Sequence, residues 1–290
     1  MFLQLIISGL SYGSLYALIA LAMVIIYKTS EVPNFGQGEM AMISTFVAYM
    51  LLVSYKHSFA LSFLGALVFA GALGAFLEFV FLRRAKEPNI LSLILITLGF
   101  QMMLYGLASW KWGAEQRDLP FPVSDFDTVS LGPAVLSYLN ATTLLITLIL
   151  MFLLFLFFRY TKVGIAMKAT QQNAMAARIN GIRTNRILSI TWGMSSVIGA
   201  VAGMLLAPIT TLDPTLMWDP LLKGFASAVL GGMTTLVGAA LGGYMLGIIE
   251  NLFGGYVSLE FKSVVAFGII VLVLCFKPSG LFARHYVRKV

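Results

Sequence analysis

Runs of almost uninterrupted apolar residues set the strongest limit on how this chain folds. They fall at about 4–27, 37–54, 59–82, 90–109, 140–158, 188–208, 221–255 and 262–276. A helix needs ~20 such residues to cross the hydrocarbon core of a bilayer. Inside lipid, only helices and closed barrels satisfy every backbone polar group. The composition leaves no other solvent: 59% of the residues are hydrophobic and 11% are charged, and the mean hydropathy is +0.92. Soluble domains carry about a quarter charged residues. The predicted fold class is therefore all-α, a polytopic transmembrane helical bundle. The stretch 221–255 is too long for one helix and fits either two spans or a span plus a half-helix. That gives eight or nine membrane helices, including broken or half-helices, with nine the better fit.

Loop charge predicts the orientation. Segment 159–187 holds Arg159, Lys162, Lys168, Arg178, Arg183 and Arg186 and no acidic residue. Arg83, Arg84 and Lys86 follow the third run, and Lys277, Arg284, Arg288 and Lys289 follow the last. Loop 110–139 balances Lys111 and Arg117 against Glu115, Asp118, Asp125 and Asp127, and 209–220 holds only Asp213 and Asp219. The positive-inside rule places the basic segments and the C-terminus in the cytoplasm, and the acidic loops outside. It also accounts for the net charge of +7 without nucleic acid as a partner. Residues 1–27 have neither a basic leader nor a cleavage site, so they are expected to stay as a membrane helix rather than leave as a signal peptide. Loop 110–139, with Pro120, Pro122, Gly132 and Pro133, reads as irregular with room for a short helix. Segment 71–78 echoes 243–250, and each ends in apolar-Glu, a hint of duplicated packing.

Three features carry functional signals. Residues 165–179 in the basic segment are good helix formers, with Arg178 in the last turn and Gly181 at the stop. This predicts a short cytoplasmic helix. Basic as it is, it could lie in anionic headgroups. Its small uncharged tip, Ala169 to Asn173, suits a protein groove better. Next, nine glycines lie between 224 and 255. Gly238/Gly242 and Gly243/Gly247, with Gly199/Gly203 upstream, have the small-xxx-small spacing that lets helices touch. Gly231-Gly232 permits a helix break. Last, Asn34, Gln37 and Glu39 bring polar groups to the start of the second span. Glu39 there serves either as a cap for the helix dipole or as an ionisable group facing a path or a neighbouring subunit. Glu250 raises the same question, whereas Glu78, near Arg83 and Arg84, reads as interfacial.

No nucleotide loop, metal-ligand cluster or nucleophile–base pair occurs, so no catalytic residue and no metal site is expected. His57 and His285 stand far apart. The single cysteine, Cys275, reads as a packing residue.

Taken together, these segments resemble the permease subunits of branched-chain amino-acid type ABC importers, specifically the shorter, LivH-like permeases. Asn34-Phe35-Gly36-Gln37-Gly38-Glu39 is similar to that family's Asn-Phe-Ala-His-Gly-Glu segment. The stretch from Gly164 to Gly181-Ile182, with Ala177, resembles its coupling segment. Ala228-Val229-Leu230-Gly231-Gly232, followed by Gly238 and Gly242-Gly243, resembles its most specific stretch. Lys277-Pro278-Ser279-Gly280-Leu281-Phe282 resembles its ending. Gln37 departs from the family's common His, and Lys262-Ser263 from its frequent aromatic-basic-Asp triplet.

The resemblance implies one permease domain over 1–290, a cytoplasmic coupling segment at 159–187 and an external loop at 110–139, in a bacterial inner membrane. It implies ATPase coupling through Gly164, Lys168, Ala169, Thr170, Gln171, Gln172, Ala177, Arg178 and Gly181. Candidates for the path or a helix break are Asn34, Gln37, Glu39, Gly231, Gly232 and Glu250. The implied partners are a second permease subunit (homologous but a different chain), two ATPase subunits that carry ATP and Mg, a periplasmic binding protein and membrane lipid. This chain itself is expected to hold no cofactor. The implied cargo is a branched-chain or related amino acid, or a small amide or urea. The competing expectation is a stand-alone secondary transporter or channel, which would require an ionisable midplane site.

Overall fold

The structure is a computed structural model and describes residues 1–85, 89–123, 127–131 and 134–282. The expectations that rest on Lys86, Asp125, Gly132, Pro133, Arg284, His285, Arg288 and Lys289 lie outside the described residues. The helices are α1 Phe2–Ser30, α2 Gln37–Tyr49, α3 Phe59–Leu77, α4 Ile90–Trp112, α5 Tyr138–Tyr160, α6 Lys162–Gln172, α7 Ala174–Ile179, α8 Thr184–Leu206, α9 Trp218–Gly231, α10 Leu236–Tyr256 and α11 Lys262–Phe276. π-helical turns at Met50–Ser54 and Glu78–Leu82 lengthen α2 and α3. Among the described residues, seven helices, α1 to α5, α8 and α10 (α2 and α3 taken with their π turns), are long and apolar enough to cross a membrane. With 14 residues and 15 residues, α9 and α11 reach only about 21 and 22 Å at 1.5 Å per residue.

The glycine-rich stretch is thus a half-helix followed by a span. The break is at the double glycine: α9 ends at Gly231, and Gly232 takes φ +103°, a value that strains any residue with a Cβ. Loop 110–139 contains a β-hairpin rather than a short helix. In it, β1 Thr128–Leu131 pairs antiparallel with β2 Ala134–Ser137, an outcome that alternating, partly β-branched residues favour. Cys275 is exposed on α11 instead of packed. Exposed apolar side chains also cover α4 and α5, among them Leu95, Met102, Trp110, Leu145, Leu148 and Phe152, as lipid contact allows.

The chain gathers into two compact units. The first comprises Met1–Val24, Val123–Leu144 and Asp219–Val290; the second comprises Ile25–Pro122 and Leu145–Trp218. In the second, α8 packs on α2 and α3. In the first, α1 packs on α9 and α10, with Ala20, Val24, Ala228 and Ala239 in one buried cluster. Both units use the same backbone crossing. A Cβ added at Gly193 of α8 would lie 2.9 Å from the Gly71 carbonyl oxygen of α3, and one added at Gly13 of α1 would lie 2.9 Å from the Gly243 oxygen of α10. Val197 lies beside Gly71 as Ala17 lies beside Gly243. The echo between 71–78 and 243–250 therefore corresponds to one packing motif used twice.

The first unit also fixes which chain ends lie together. The Gln4 amide donates to the Val135 oxygen (2.8 Å) and its oxygen accepts the Val135 N–H (2.7 Å), so the start of α1 sits at the edge of β2. At the opposite end of α10, the N–H groups of Leu281 and Phe282 donate to the oxygens of Leu230 and Gly231. Residue 4 and residue 282 thus occupy opposite ends of this unit.

Candidate functional site

The basic segment forms two helices where one was expected. Thr161 caps α6: its hydroxyl accepts the Gly164 N–H at 3.0 Å and donates to the Phe157 oxygen at 2.7 Å. Gly164 lies directly against the Phe157 and Phe158 backbone, so α6 folds back tightly on the end of α5. Asn173 breaks the helix and caps α7, with its side chain accepting the Ala176 N–H at 2.9 Å. The stop of α7 is a Schellman turn. The Ile182 N–H reaches the Ala177 oxygen (3.0 Å), the Gly181 N–H reaches the Arg178 oxygen (2.9 Å), and Gly181 takes φ +82°.

Burial sorts the segment into two faces. Gly164, Met167, Thr170 and Ala177 turn inward. Ala169 and Gln171 are half-buried, while Lys168 and Gln172 are exposed. The large apolar side chains that face outward are Ile165, Met175 and Ile179, the last 80% exposed. Thr170, at the tip in the sequence reading, instead donates to the Ala166 oxygen of its own helix at 2.9 Å. Arg178 Nε donates to Thr184 Oγ1 at 2.7 Å, tying α7 to the first residue of α8. Both short helices contact α8.

The second cluster lies where α2 meets α8. Asn34, Gln37 and Glu39 are each 1% exposed. Gln37 acts as a clamp: its amide donates to the Ser195 oxygen (3.1 Å), and its oxygen accepts the Ser195 hydroxyl (3.0 Å) and the Asn34 amide (3.2 Å). Glu39 differs. Among the described residues no well-directed hydrogen bond reaches its carboxylate, though Gln101 and Trp218 approach it, and Trp218 lies against Tyr105 with ring centroids 5.3 Å apart.

The third cluster belongs to the first unit. Glu250 is fully buried and pairs with Lys223 at 2.5 Å; Lys223 also holds Asp219 at 2.6 Å. The Lys223 ammonium lies 5.5 Å from the Tyr16 ring centroid. Ser263 donates to Asp219 (3.2 Å), and Lys262 donates to Asn251 (3.3 Å). Four helices thus share one polar network. A carboxylate at 263 would confront Asp219, so the serine there suits its neighbour. Glu78, at the start of the π turn after α3, is buried and takes Arg83 at 2.7 Å and the Ser189 hydroxyl at 2.5 Å. Among the described residues no group of His, Cys, Asp and Glu is placed to hold a metal.

Residues 5–274 match the protein family described as "Branched-chain amino acid transport system / permease component". The chain belongs to that family. It is 32% identical to the high-affinity branched-chain amino acid transport system permease protein LivH of Escherichia coli K12, covering 100% of this chain and 98% of that one. It is 29% identical to the corresponding permease protein BraD of Pseudomonas aeruginosa, over 100% and 98%. A probable LivH of Methanocaldococcus jannaschii is 28% identical over 96% and 92%. In fold, the chain is similar to PsaBC from Streptococcus pneumoniae in complex with Fab, with TM-score 0.51 and 13% identity over 96% of this chain and 93% of that one.

For this permease component, the sequence reading located the α6–α7 segment and the buried Glu39 and Glu250. It missed Lys223, whose only signal was its place four residues after Asp219 in an apolar run. It also missed Met175 and Ile179, because periodicity over 165–179 assumed a helix that Asn173 interrupts.

Proposed function

We propose that this chain is a permease subunit of an ATP-driven importer in a bacterial inner membrane, working as one permease domain and moving branched-chain or related amino acids, with small amides or urea as the wider class. A periplasmic binding protein would deliver the solute, and a second, homologous but different permease chain would complete the path. Two ATPase subunits would hold ATP and Mg. Segment 159–187 and the C-terminus would face the cytoplasm and 110–139 the outside, as loop charge requires.

The observation that carries this reading is the docked pair α6–α7. It offers Ile165, Met175 and Ile179 outward, while Gly164, Thr161 and Arg178 fix it to the ends of α5 and α8. A short helix pair held this way acts as a lever. A partner that contacts it differently in two nucleotide states biases two permease states through α8. Glu39 and its neighbours Gln101 and Trp218 form the strongest candidate for a group facing the solute, since buried ionisable groups in membranes mark pathways.

The test replaces an outward apolar group by a charge. Met175→Asp or Ile179→Asp should abolish ATP-driven uptake in reconstituted vesicles and release the ATPase subunits on purification, while the permease stays monodisperse. Normal transport by both variants with the ATPases still bound would remove the coupling assignment. Thr170→Asp is a poorer probe, because Thr170 is buried and its replacement would unseat α6 itself.

A further inference from the structure

A hollow of about 510 Å³ lies beside α7 and is lined by Arg83, Arg178, Arg183 and Arg186 with Gly181, Ile182, Thr184 and Asn185. Four arginines line it, and among the described residues only Arg83 of the four meets a carboxylate. It holds Glu78 through two hydrogen bonds of 3.1 and 2.7 Å and also reaches the Asn185 oxygen and the Ser189 hydroxyl. Among the described residues, Arg178, Arg183 and Arg186 have no carboxylate partner. Thr184, Asn185 and Arg186 are the first turn of the 23-residue helix α8, so its dipole adds positive potential on the same side. Three like charges with no carboxylate partner among the described residues repel one another around this hollow, and an anion seated among them would offset that repulsion. Guanidiniums match phosphate oxygens in geometry as well as charge.

The surroundings indicate where that anion comes from. Arg83 follows the π turn that ends α3, and Arg183 to Arg186 open α8, which is headgroup level for a spanning helix, while Arg178, Gly181 and Ile182 belong to α7 and its closing turn. The Arg83 and Arg84 guanidiniums lie 5.1 and 5.6 Å from the Phe79 ring centroid, and Phe79 is 49% exposed. Phe76 of α3 and Ile190 of α8 are also exposed. Basic groups at the rim with bare apolar side chains further along the same helices match the two halves of a phospholipid.

We propose that the arginine hollow formed by Arg178, Arg183 and Arg186 beside Arg83 binds the phosphate headgroup of an anionic phospholipid and thereby braces α7 against the start of α8. This stands whether or not the transport reading does.

The test uses the full chain purified in mild detergent. Native mass spectrometry should show retained phosphatidylglycerol or cardiolipin in preference to phosphatidylcholine. Phosphatidylglycerol should raise the melting temperature more than phosphatidylcholine, and high salt should abolish the difference. Arg183→Gln with Arg186→Gln should weaken phosphatidylglycerol binding ~30-fold, at about 1 kcal/mol per basic residue near an anionic surface. Neither change should alter phosphatidylcholine binding. Glycerol phosphate without acyl chains should compete only weakly. Equal binding of both lipids by the native chain overturns the proposal. So does full competition by glycerol phosphate, which would make this a site for a soluble phosphate. A double variant that keeps its lipid but loses the ATPase subunits also overturns it, by showing a protein interface. Should the double variant misfold, the salt-sensitive lipid preference of the native chain still decides.

Discussion

At the scale of single residues, Lys223 and Glu250 carry the largest electrostatic stakes. Both side chains are nearly or fully buried, at 7% and 0% exposure. A buried pair is only weakly stabilising as a whole, but removing one member strands the other charge. Lys223→Met should therefore lower stability by about 3–5 kcal/mol, read as a drop in melting temperature in detergent. Lys223→Met combined with Glu250→Met should recover most of that loss. If the double variant is as unstable as the single one, the cost is lost packing and not a stranded carboxylate. Among the described residues no cation pairs with Glu39; its neighbours are Gln101 and Trp218. Sequence spacing flagged Glu39 and Glu250 as rare charges in apolar runs and passed over Lys223, and it could not say which were paired, because the pairing partners come from different helices.

At the scale of elements, two helix crossings carry the packing. Gly13 on α1 and Gly193 on α8 each approach a facing carbonyl so closely that a Cβ would stand 2.9 Å from it. That obstacle is backbone and cannot rotate away. Gly13→Leu and Gly193→Leu should each cost at least the ~1–3 kcal/mol typical of overpacking, and by similar amounts, since the crossing is the same. Gly99→Ala and Gly106→Ala, on α4 with nothing within 4 Å of an added Cβ, should be neutral or slightly stabilising, because alanine is the better helix former by ~1 kcal/mol. Thermal unfolding of the four variants checks this; equal behaviour of all four would contradict the crossing. The three small-xxx-small pairs were legible as contact surfaces. Which helix each one meets was not: Gly199 and Gly203 face α2, Gly238 and Gly242 face α9, and Gly243 and Gly247 face α1.

At the scale of the whole molecule, residues 4 and 282 bear on the number of crossings. Residue 4 sits at β2, while residues 281 and 282 return to the turn after α9, at opposite ends of one unit. Opposite ends require an odd number of crossings between residues 4 and 282. In a Cys275→Ser background, Phe2→Cys should react with a membrane-impermeant maleimide added outside intact cells. Phe282→Cys should react only after permeabilisation. Labelling of both from one side would exclude an odd count.

The sequence alone determined the solvent, the helical class and the approximate spans, because apolar runs of this length have one stable state in lipid. Loop charge added the expected direction, and the order of four motifs pointed to the permease family. The tertiary structure decided what local pattern does not encode. It paired 128–131 with 134–137 and split the basic segment at Asn173. It turned Thr170 inward and Met175 outward, and exposed Cys275. It also paired α1 with α9 and α10 while α8 joined α2 and α3, an exchange invisible to periodicity. Each of these outcomes depends on which surface lies opposite, and a side chain's spacing along its own helix gives only the face, never the partner.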